Sequence, residues 1–166
     1  FNNIDFAQLH FSSILLVILL MWIGASPAST GGGIKTSTFA IGILNFINIA
    51  RGKPKIEIYK RELNPINIQK AFATMTLSFL VIGIGIFLIT KFDNNLHLID
   101  VAFEAFSAYS TVGLSLNLTP HLSDPSKIVV ITMMFIGRVS MITILMSFFK
   151  KTVSSNYRYP SDDILI

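Results

Sequence analysis

The chain has 166 residues, of which 52% are hydrophobic and only 13% are charged. A soluble domain usually carries about 25% charged residues, so this chain lacks the polar surface that faces water, and lipid is the simplest solvent for it. The absence of cysteine excludes disulfides, thiolate nucleophiles and cysteine-ligated metals. Phe1 is not a methionine and no charged stretch precedes the first apolar run, so we expect a piece of a longer protein rather than a signal peptide.

The first two apolar runs are Phe11–Ala25 and Thr38–Ala50, separated by the small residues of Ser26–Lys35. The first run would be about 22 Å long as a helix, short of the ~30 Å hydrocarbon core, whereas one helix through both runs would reach about 60 Å. Pro27 and three successive glycines disfavour such a long helix. The pattern predicts helix, irregular stretch, helix. Irregular backbone survives at membrane depth only beside protein or water, so residues 26–35 should line a cavity.

The basic residues indicate the orientation of the chain in the membrane. Residues 51–61 form a basic loop, which the positive-inside rule makes cytoplasmic. Residues 67–90 and 127–149 are predicted as full spans, and the second span ends at Lys150-Lys151. Two crossings return the chain to its starting side, so the loop 51–61 and the tail 151–166 are both predicted to be cytoplasmic.

Residues 98–109 are predicted as a short helix that cannot cross the bilayer, followed by a filter-like segment at residues 110–115. A helix dipping in from outside points its partly negative carbonyl end into the membrane, and an extended Thr-x-Gly segment can then turn carbonyl oxygens toward a pore axis, as potassium selectivity requires. Glycine suits the positive φ that this backbone needs. The alternative is a simple extracellular turn. The candidate ion ligands are the backbone carbonyls of Ser110, Thr111, Val112, Gly113 and Leu114.

The glycine-rich segment allows three interpretations. A phosphate-binding loop is disfavoured because Ile34 separates Gly33 from Lys35 and a membrane helix, not a strand, leads into it. A kinked helix packed through small residues is the structural alternative. The functional interpretation is a movable gate beneath the filter, in which Lys35 holds the closed form by pairing or by repelling cations. The candidate gate residues are Ser26, Ala28, Ser29, Thr30, Gly31, Gly32, Gly33 and Lys35.

Two charged residues stand out within apolar segments. Arg138 lies near the middle of the last span, where an arginine is costly and marks a partner or a pathway. It is either half of a structural ion pair or a positive barrier just inside the filter that contacts Ser26–Lys35. Glu104 either attracts cations at the outer mouth or supports the filter by hydrogen bonding its backbone. The second role is favoured because a buried carboxylate needs partners.

Catalysis and metal binding are not expected. The three histidines are scattered without metal-ligand spacing, and no serine lies in a nucleophile elbow with a base in view. We therefore predict no enzyme activity, no cofactor, no transition metal and no nucleic-acid partner. The remaining candidates are an ion-conducting pore, a non-conducting membrane assembly subunit, and a broken-helix solute carrier.

Four segments, in this order, resemble the Trk/Ktr/HKT potassium transporters, most closely the KtrB-type subunit. Residues 24–36 (GASPASTGGGIKT) resemble the family's glycine-rich intramembrane loop, and residues 103–115 (FEAFSAYSTVGLS) resemble its fourth pore helix and filter. Residues 135–138 (FIGR) resemble its last helix with a central arginine, and residues 157–160 (YRYP) resemble the KtrB-type tail.

The resemblance implies an all-α integral membrane fold built of membrane–pore-loop–membrane repeats, with a broken first helix and one re-entrant pore helix plus filter. Residues 1–62 would end the third repeat, residues 63–150 would form the fourth, and residues 151–166 the cytoplasmic tail. Gly113 would be the fourth filter glycine, residues 26–35 the gate and Arg138 the barrier. The implied activity is gated, sodium-stimulated K⁺ uptake across the cell membrane. The implied partners are the N-terminal half of the same pore, a second copy in a homodimer, and a cytosolic nucleotide-binding regulatory subunit of the KtrA type.

Overall fold

The computed structural model describes residues 6–52, 56–58 and 61–139, and this part of the chain is mainly helical. The predictions for residues 1–5, for residues 140–149 of the last span, for the tail 151–166 and for parts of the basic loop lie outside the described residues. Short 3-10 helices occur at Phe6–Gln8 and Thr119–His121. The α-helices are α1 (Phe11–Trp22), α2 (Thr36–Ala50), α3 (Pro65–Phe92), α4 (Leu98–Ser110) and α5 (Asp124–Val139, its described part).

Helix α3 is the only helix in the described ranges that is both long and apolar enough to cross a bilayer. Its 28 residues correspond to about 42 Å at 1.5 Å per residue. The Asn64 side chain accepts a hydrogen bond from the Ile66 amide at 3.0 Å, and Pro65 occupies the first helical position, where its missing N–H costs nothing. The helix coincides with the predicted span 67–90, extended by two residues at each end.

Residues 23–25 pair with residues 34–36 and form the narrow base, or neck, of the loop between α1 and α2. Helix α1 ends at Trp22, three residues before the predicted end, because Ile23 forms a parallel bridge with the buried Ile34. The Gly24 amide donates to the Ile34 carbonyl at 2.7 Å, and the Thr36 amide donates to the Ala25 carbonyl at 3.3 Å. Residues 26–33 therefore form a loop whose two ends are held together by backbone hydrogen bonds. The same bonds keep the end of α1 beside the start of α2.

Helix α4 lies at the centre of the described structure and packs against α1, α3 and α5. Most of its residues are buried, including Phe103 and Tyr109. The contact with α5 is close because Gly137 lies directly against the Tyr109 carbonyl: a Cβ at position 137 would be 1.7 Å from that oxygen. Trp22 connects α1 to α3 by donating from Nε1 to the buried Ser78 hydroxyl at 3.1 Å. These contacts fix the carbonyl end of α4 beside the neck of the loop.

The C-terminal end of α3 is joined to the N-terminal end of α5 by hydrogen bonds to Asp93. The Ser123 amide and hydroxyl donate to Asp93 Oδ2 at 3.1 and 3.0 Å, respectively. Hydrogen bonding from Ser126, together with the bonds from Ser123 and the charge of Lys127, lowers the pKa of the Asp93 carboxyl despite partial desolvation. The carboxylate is therefore kept ionised as the acceptor that joins the two helix ends.

The basic segment departs from the predicted all-α fold. Strands β1 (Glu57–Ile58) and β2 (Arg61–Glu62) form a two-residue antiparallel hairpin with Glu57 opposite Glu62. The buried Ile56 precedes it, and its carbonyl accepts a hydrogen bond from the Leu63 amide at 2.9 Å. The predicted simple loop 51–61 thus carries a hairpin, because the Ile56–Leu63 bond closes the segment into a register that allows pairing.

Candidate functional site: the filter segment and the glycine-rich loop

Helix α4 ends in a left-handed turn at Thr111. The Thr111 amide donates to the Ala108 carbonyl at 3.1 Å and the Val112 amide to the Ser107 carbonyl at 3.0 Å. This pair of bonds, with a left-handed residue between them, is a Schellman motif. Glycine usually fills the left-handed position, yet here threonine does so at φ 53°, at a cost of roughly 1–2 kcal/mol. A residue with a side chain at this position implies that the side chain is used, and the Thr111 hydroxyl indeed has a partner.

The segment after the turn has unpaired carbonyl oxygens. Within the described residues, the carbonyls of Thr111 to Leu114 accept no hydrogen bond. The sign of φ alternates, since Thr111 and Gly113 are positive (53° and 82°) and Val112 between them is not. Alternation of this kind turns successive carbonyls toward the same side instead of opposite sides. An added Cβ at Gly113 would meet no atom within 4 Å, so this glycine is required by its backbone conformation and not by lack of space.

Glu104 lies behind this segment on α4 and is 6% exposed. Its Oε1 accepts a hydrogen bond from the Thr119 hydroxyl at 2.5 Å, and the Ser115 hydroxyl lies 3.1 Å from the Thr119 hydroxyl. Within the described part of the chain, Glu104 makes no hydrogen bond to filter backbone, contrary to the prediction. Its observed partner is the Thr119 side chain. Glu104 anchors the chain just beyond the filter, through a residue that sequence reasoning did not select.

The glycine-rich loop is held in shape by Lys35. The Lys35 ammonium donates to the Ser29 carbonyl at 3.1 Å and to the Gly31 carbonyl at 2.5 Å. The Ser29 hydroxyl accepts from the Gly31 amide at 3.2 Å, and the Ser29 amide donates to the Ser26 carbonyl at 2.9 Å. Lys35 therefore hydrogen-bonds to loop backbone, while its role in holding a closed gate stays a prediction.

The loop touches the filter segment directly. The Gly32 amide donates to the Thr111 hydroxyl oxygen at 2.8 Å. A Cβ on Gly32 would lie 2.7 Å from that same oxygen, and a Cβ on Gly33 would lie 3.0 Å from the Ser110 hydroxyl oxygen. Ser110 is buried, and its hydroxyl has no hydrogen-bond partner within the described structure. Only glycine permits so close an approach of the loop to the end of α4.

Arg138 reaches the same loop from α5. Its Nη1 donates to the Thr30 carbonyl, as the sequence led us to expect of a contact with residues 26–35. Among the described residues no carboxylate pairs with Arg138, whereas Lys127 forms an ion pair with Asp124 at 3.5 Å. The loop carbonyls of residues 29–31 thus accept from two cationic side chains, Lys35 and Arg138, which approach from different elements.

A cavity of 490 Å³ separates the filter segment from α1. It is bordered by the loop at Gly31 and Gly32, by the filter at Ser110–Val112 and Leu114, and by apolar side chains of α1. The predicted site residues that line it are Gly31, Gly32, Ser110, Thr111, Val112 and Leu114. Ser26 and Ala28 lie exposed on the loop. Arg138 and Glu104 do not line the cavity.

Sequence reasoning did not select Thr119, Ser78 or the pairing of the neck. Each of these contacts joins residues at least 11 positions apart, so no local sequence pattern predicts them. The search for metal-ligating groups finds no cluster of three or more histidine or carboxylate side chains in the described ranges.

Comparison with known proteins agrees with the geometry. The family model described as "TrkH: Cation transport protein" matches residues 1–159. The chain is 39% identical over 164 residues to both the Ktr system potassium uptake protein D and the Ktr system potassium uptake protein B of Bacillus subtilis, covering 99% of this chain and 36% of each relative. It is 34% identical to the potassium/sodium uptake protein NtpJ of Enterococcus hirae, covering 100% of this chain and 38% of that protein.

The chain therefore spans a little over one third of the length of these relatives. The match covers every residue that the structure describes, including the glycine-rich loop, the filter segment and Arg138. The resemblance found in the sequence is confirmed: this chain is a membrane protein that belongs to the TrkH cation transport family, on the KtrB-like side of the Trk/Ktr superfamily.

Proposed function

We propose that this chain forms part of a potassium-conducting pore and supplies one of its filter strands. The observation that carries the proposal is the run of unpaired carbonyls from Thr111 to Leu114 at the end of a short buried helix. Unpaired carbonyls cost free energy unless something satisfies them, and a dehydrated cation does so. The carbonyl end of α4 adds a partial negative charge at the same place.

Uptake then follows the membrane potential, which contributes about 2.3 kcal/mol per elementary charge at 100 mV. Thr111, Val112, Gly113 and Leu114, with Ser110 at the base, replace water around K⁺. Arg138 lies just inside as a positive barrier that limits cation flux. Sodium stimulation is proposed as well, supported by the potassium/sodium uptake name of the Enterococcus hirae relative.

The glycine-rich loop acts as the gate in this proposal. Its closed form is supported by the bonds from Lys35, Arg138 and the Thr111 hydroxyl. The neck at Gly24 and Ile34 stays paired while residues 26–33 move. The loop can thus leave the pathway without separating α1 from α2.

The rest of the protein supplies the remaining parts of the proposal. One carbonyl strand cannot form a ring, so further repeats of the same pore must lie outside these residues. We place the hairpin segment 51–61 and the tail 151–166 in the cytoplasm, where a KtrA-like nucleotide-binding regulator moves the gate. A homodimer and a multi-pass position in the cell membrane complete the proposed assembly.

The substitution Gly113→Ser tests the filter in the full-length protein. Serine at φ 82° is strained, so the carbonyls turn away from the axis and the ratio of K⁺ to Na⁺ uptake falls, which tracer flux in reconstituted vesicles measures. Gly83→Ser is the matched control, because position 83 also has open space but lies within α3 without positive φ. An unchanged ratio in Gly113→Ser would exclude a filter and favour an assembly subunit or a solute carrier.

A further inference from the structure

The Thr111 hydroxyl oxygen belongs both to the filter segment and to the contact with the loop. It lies at the base of the filter strand, on the residue whose carbonyl is the first unpaired one after the turn. It also accepts the Gly32 amide at 2.8 Å. Hydroxyl oxygens are good ligands for hard monovalent cations, and Thr111 lines the cavity between the filter segment and α1.

We propose that loop closure and cation binding at the innermost filter position compete for this single oxygen. The inference rests on the proposed function and adds a rule for how the gate responds to the transported ion. When the loop is closed, the Gly32 amide hydrogen points at the Thr111 hydroxyl oxygen and places a partial positive charge where a cation would bind. When a cation takes that oxygen, the amide loses its acceptor.

The closed loop occupies the side of the Thr111 hydroxyl from which a cation at the innermost position would approach. A Cβ on Gly32 would be 2.7 Å from the Thr111 hydroxyl oxygen and 2.8 Å from its methyl carbon, so the loop backbone already lies in contact beneath the side chain. A cation that approaches the hydroxyl from the inner side occupies that same volume. Steric exclusion therefore acts in the same direction as the amide dipole.

Charge makes the exclusion stronger. The closed loop is bonded to the Lys35 ammonium through Gly31 and to the Arg138 guanidinium through Thr30, the two residues just before Gly32. Closure thus brings two full positive charges near the base of the filter. Like charges at short range disfavour each other's presence, and the effect is larger where water is excluded.

Linkage makes the effect reciprocal: if closure weakens cation binding at this position, cation binding weakens closure by the same factor. Potassium should therefore open the gate as its concentration rises, independently of any regulator. Couplings of this kind are typically about 5–150-fold. Without such competition, loop position would not depend on whether the filter is occupied.

The test uses the full-length transporter in vesicles with Ala28→Cys as a reporter of loop position. Ala28 is exposed on the loop and the 166 residues contain no cysteine, so the reporter thiol is unique within them. Its rate of modification by a membrane-impermeant reagent is measured in K⁺ and in N-methylglucamine at equal ionic strength without a voltage. We expect K⁺ to raise the rate by about fivefold or more.

Three variants separate competition from other causes. Thr111→Ser keeps the hydroxyl and should keep the K⁺ dependence, whereas Thr111→Val keeps the shape and should be modified quickly in both solutions. Ser29→Ala loses the bond from the Gly31 amide but leaves Thr111 untouched, so it should raise both rates and preserve their ratio. If Thr111→Val does not assemble, Thr111→Ala takes its place.

A wild-type rate that is equal in K⁺ and N-methylglucamine overturns the proposal, and this outcome needs no variant. A Thr111→Val protein that retains the wild-type ratio overturns it too. If the competition fails while Gly113→Ser still abolishes ion discrimination, only this inference is wrong. If Gly113→Ser leaves discrimination intact, the proposed filter itself is wrong.

Discussion

Two glycines determine how near other elements come to the carbonyl end of α4. Gly137 brings α5 against the Tyr109 carbonyl, and Gly32 brings the loop against the Thr111 side chain. Gly85, by contrast, faces only the flexible end of Met133. A side chain at position 137 meets backbone, which cannot move without shifting the whole of α4, whereas one at position 85 meets a thioether that can rotate away.

Gly137→Ala should therefore destabilise the protein more than any other glycine-to-alanine change in the described helices. The added carbon would lie 1.7 Å from the Tyr109 carbonyl oxygen, and overpacking of this kind costs about 1–3 kcal/mol or more. The thermal midpoint and the yield of monodisperse full-length protein measure the effect. Gly83→Ala is the control, since open space surrounds position 83. Equal behaviour of the two variants would mean that α5 does not pack on α4 as described.

At the scale of elements, the sequence predicted the helices well and their mutual contacts poorly. Apolar runs and the polar residues between them predicted the ends of α3 and α4 to within two residues, because hydropathy and turn residues are local signals. The contact from Gly32 to Thr111 joins residues 79 positions apart, and the bond from Arg138 to Thr30 spans 108 positions. The arginine within an apolar span gave a reason to expect a contact of Arg138 with residues 26–35, and the gate interpretation put the loop beneath the filter, but neither indicated which residues would pair.

The left-handed conformation of Thr111 could not be predicted from the sequence either. The left-handed position after a helix end usually holds glycine. The Thr-Val-Gly pattern therefore predicted positive φ at Gly113 but gave no sign of it at Thr111. The physical reason is tertiary: the Thr111 hydroxyl receives the Gly32 amide, and that bond helps offset the cost of the backbone conformation. The same limit applies to Glu104, whose partner Thr119 lies beyond the filter.

The gate can be tested by weakening its supports. Arg138→Met removes the donor to the Thr30 carbonyl, and Lys35→Met removes the donors to the Ser29 and Gly31 carbonyls. A hydrogen bond from a charged group contributes roughly 1.5–3 kcal/mol, less where water screens it, so each variant should raise regulator-free K⁺ flux by up to about tenfold.

Lys127→Met is the matched control, because Lys127 is an exposed cation outside the site. Lys35→Met helps to separate the gate from the barrier, since Arg138 is itself the proposed barrier, whereas the charge of Lys35 comes near the filter only through the closed loop. Slower flux with folded protein in both variants would contradict a loop that blocks conduction and would favour a loop that the open pore needs.

At the scale of the molecule, the described residues present an incomplete surface around the filter. Val112 is 42% exposed, and α1 exposes Leu15, Leu16, Leu19 and Leu20, of which Leu20 lines the cavity beside the filter segment. Unpaired carbonyls beside exposed apolar side chains suit neither water nor lipid. Further protein must cover this face, which agrees with a chain that spans little more than a third of its relatives.

Whether these residues need the rest of the protein to conduct K⁺ can be tested by producing the two parts separately and together. The 166 residues produced alone should give no K⁺ uptake in a strain that lacks its own uptake systems, because one carbonyl strand supplies only part of the ligand shell that replaces hydration. Production together with the remainder of the full-length sequence, as a split protein, should restore uptake. The same split protein carrying Gly113→Ser should restore flux but not the preference for K⁺ over Na⁺, which shows that the restored pathway runs past this filter strand. Uptake by the 166 residues alone would instead mean that several copies assemble a ring by themselves, and the unpaired face around Val112 would then be an interface between identical chains.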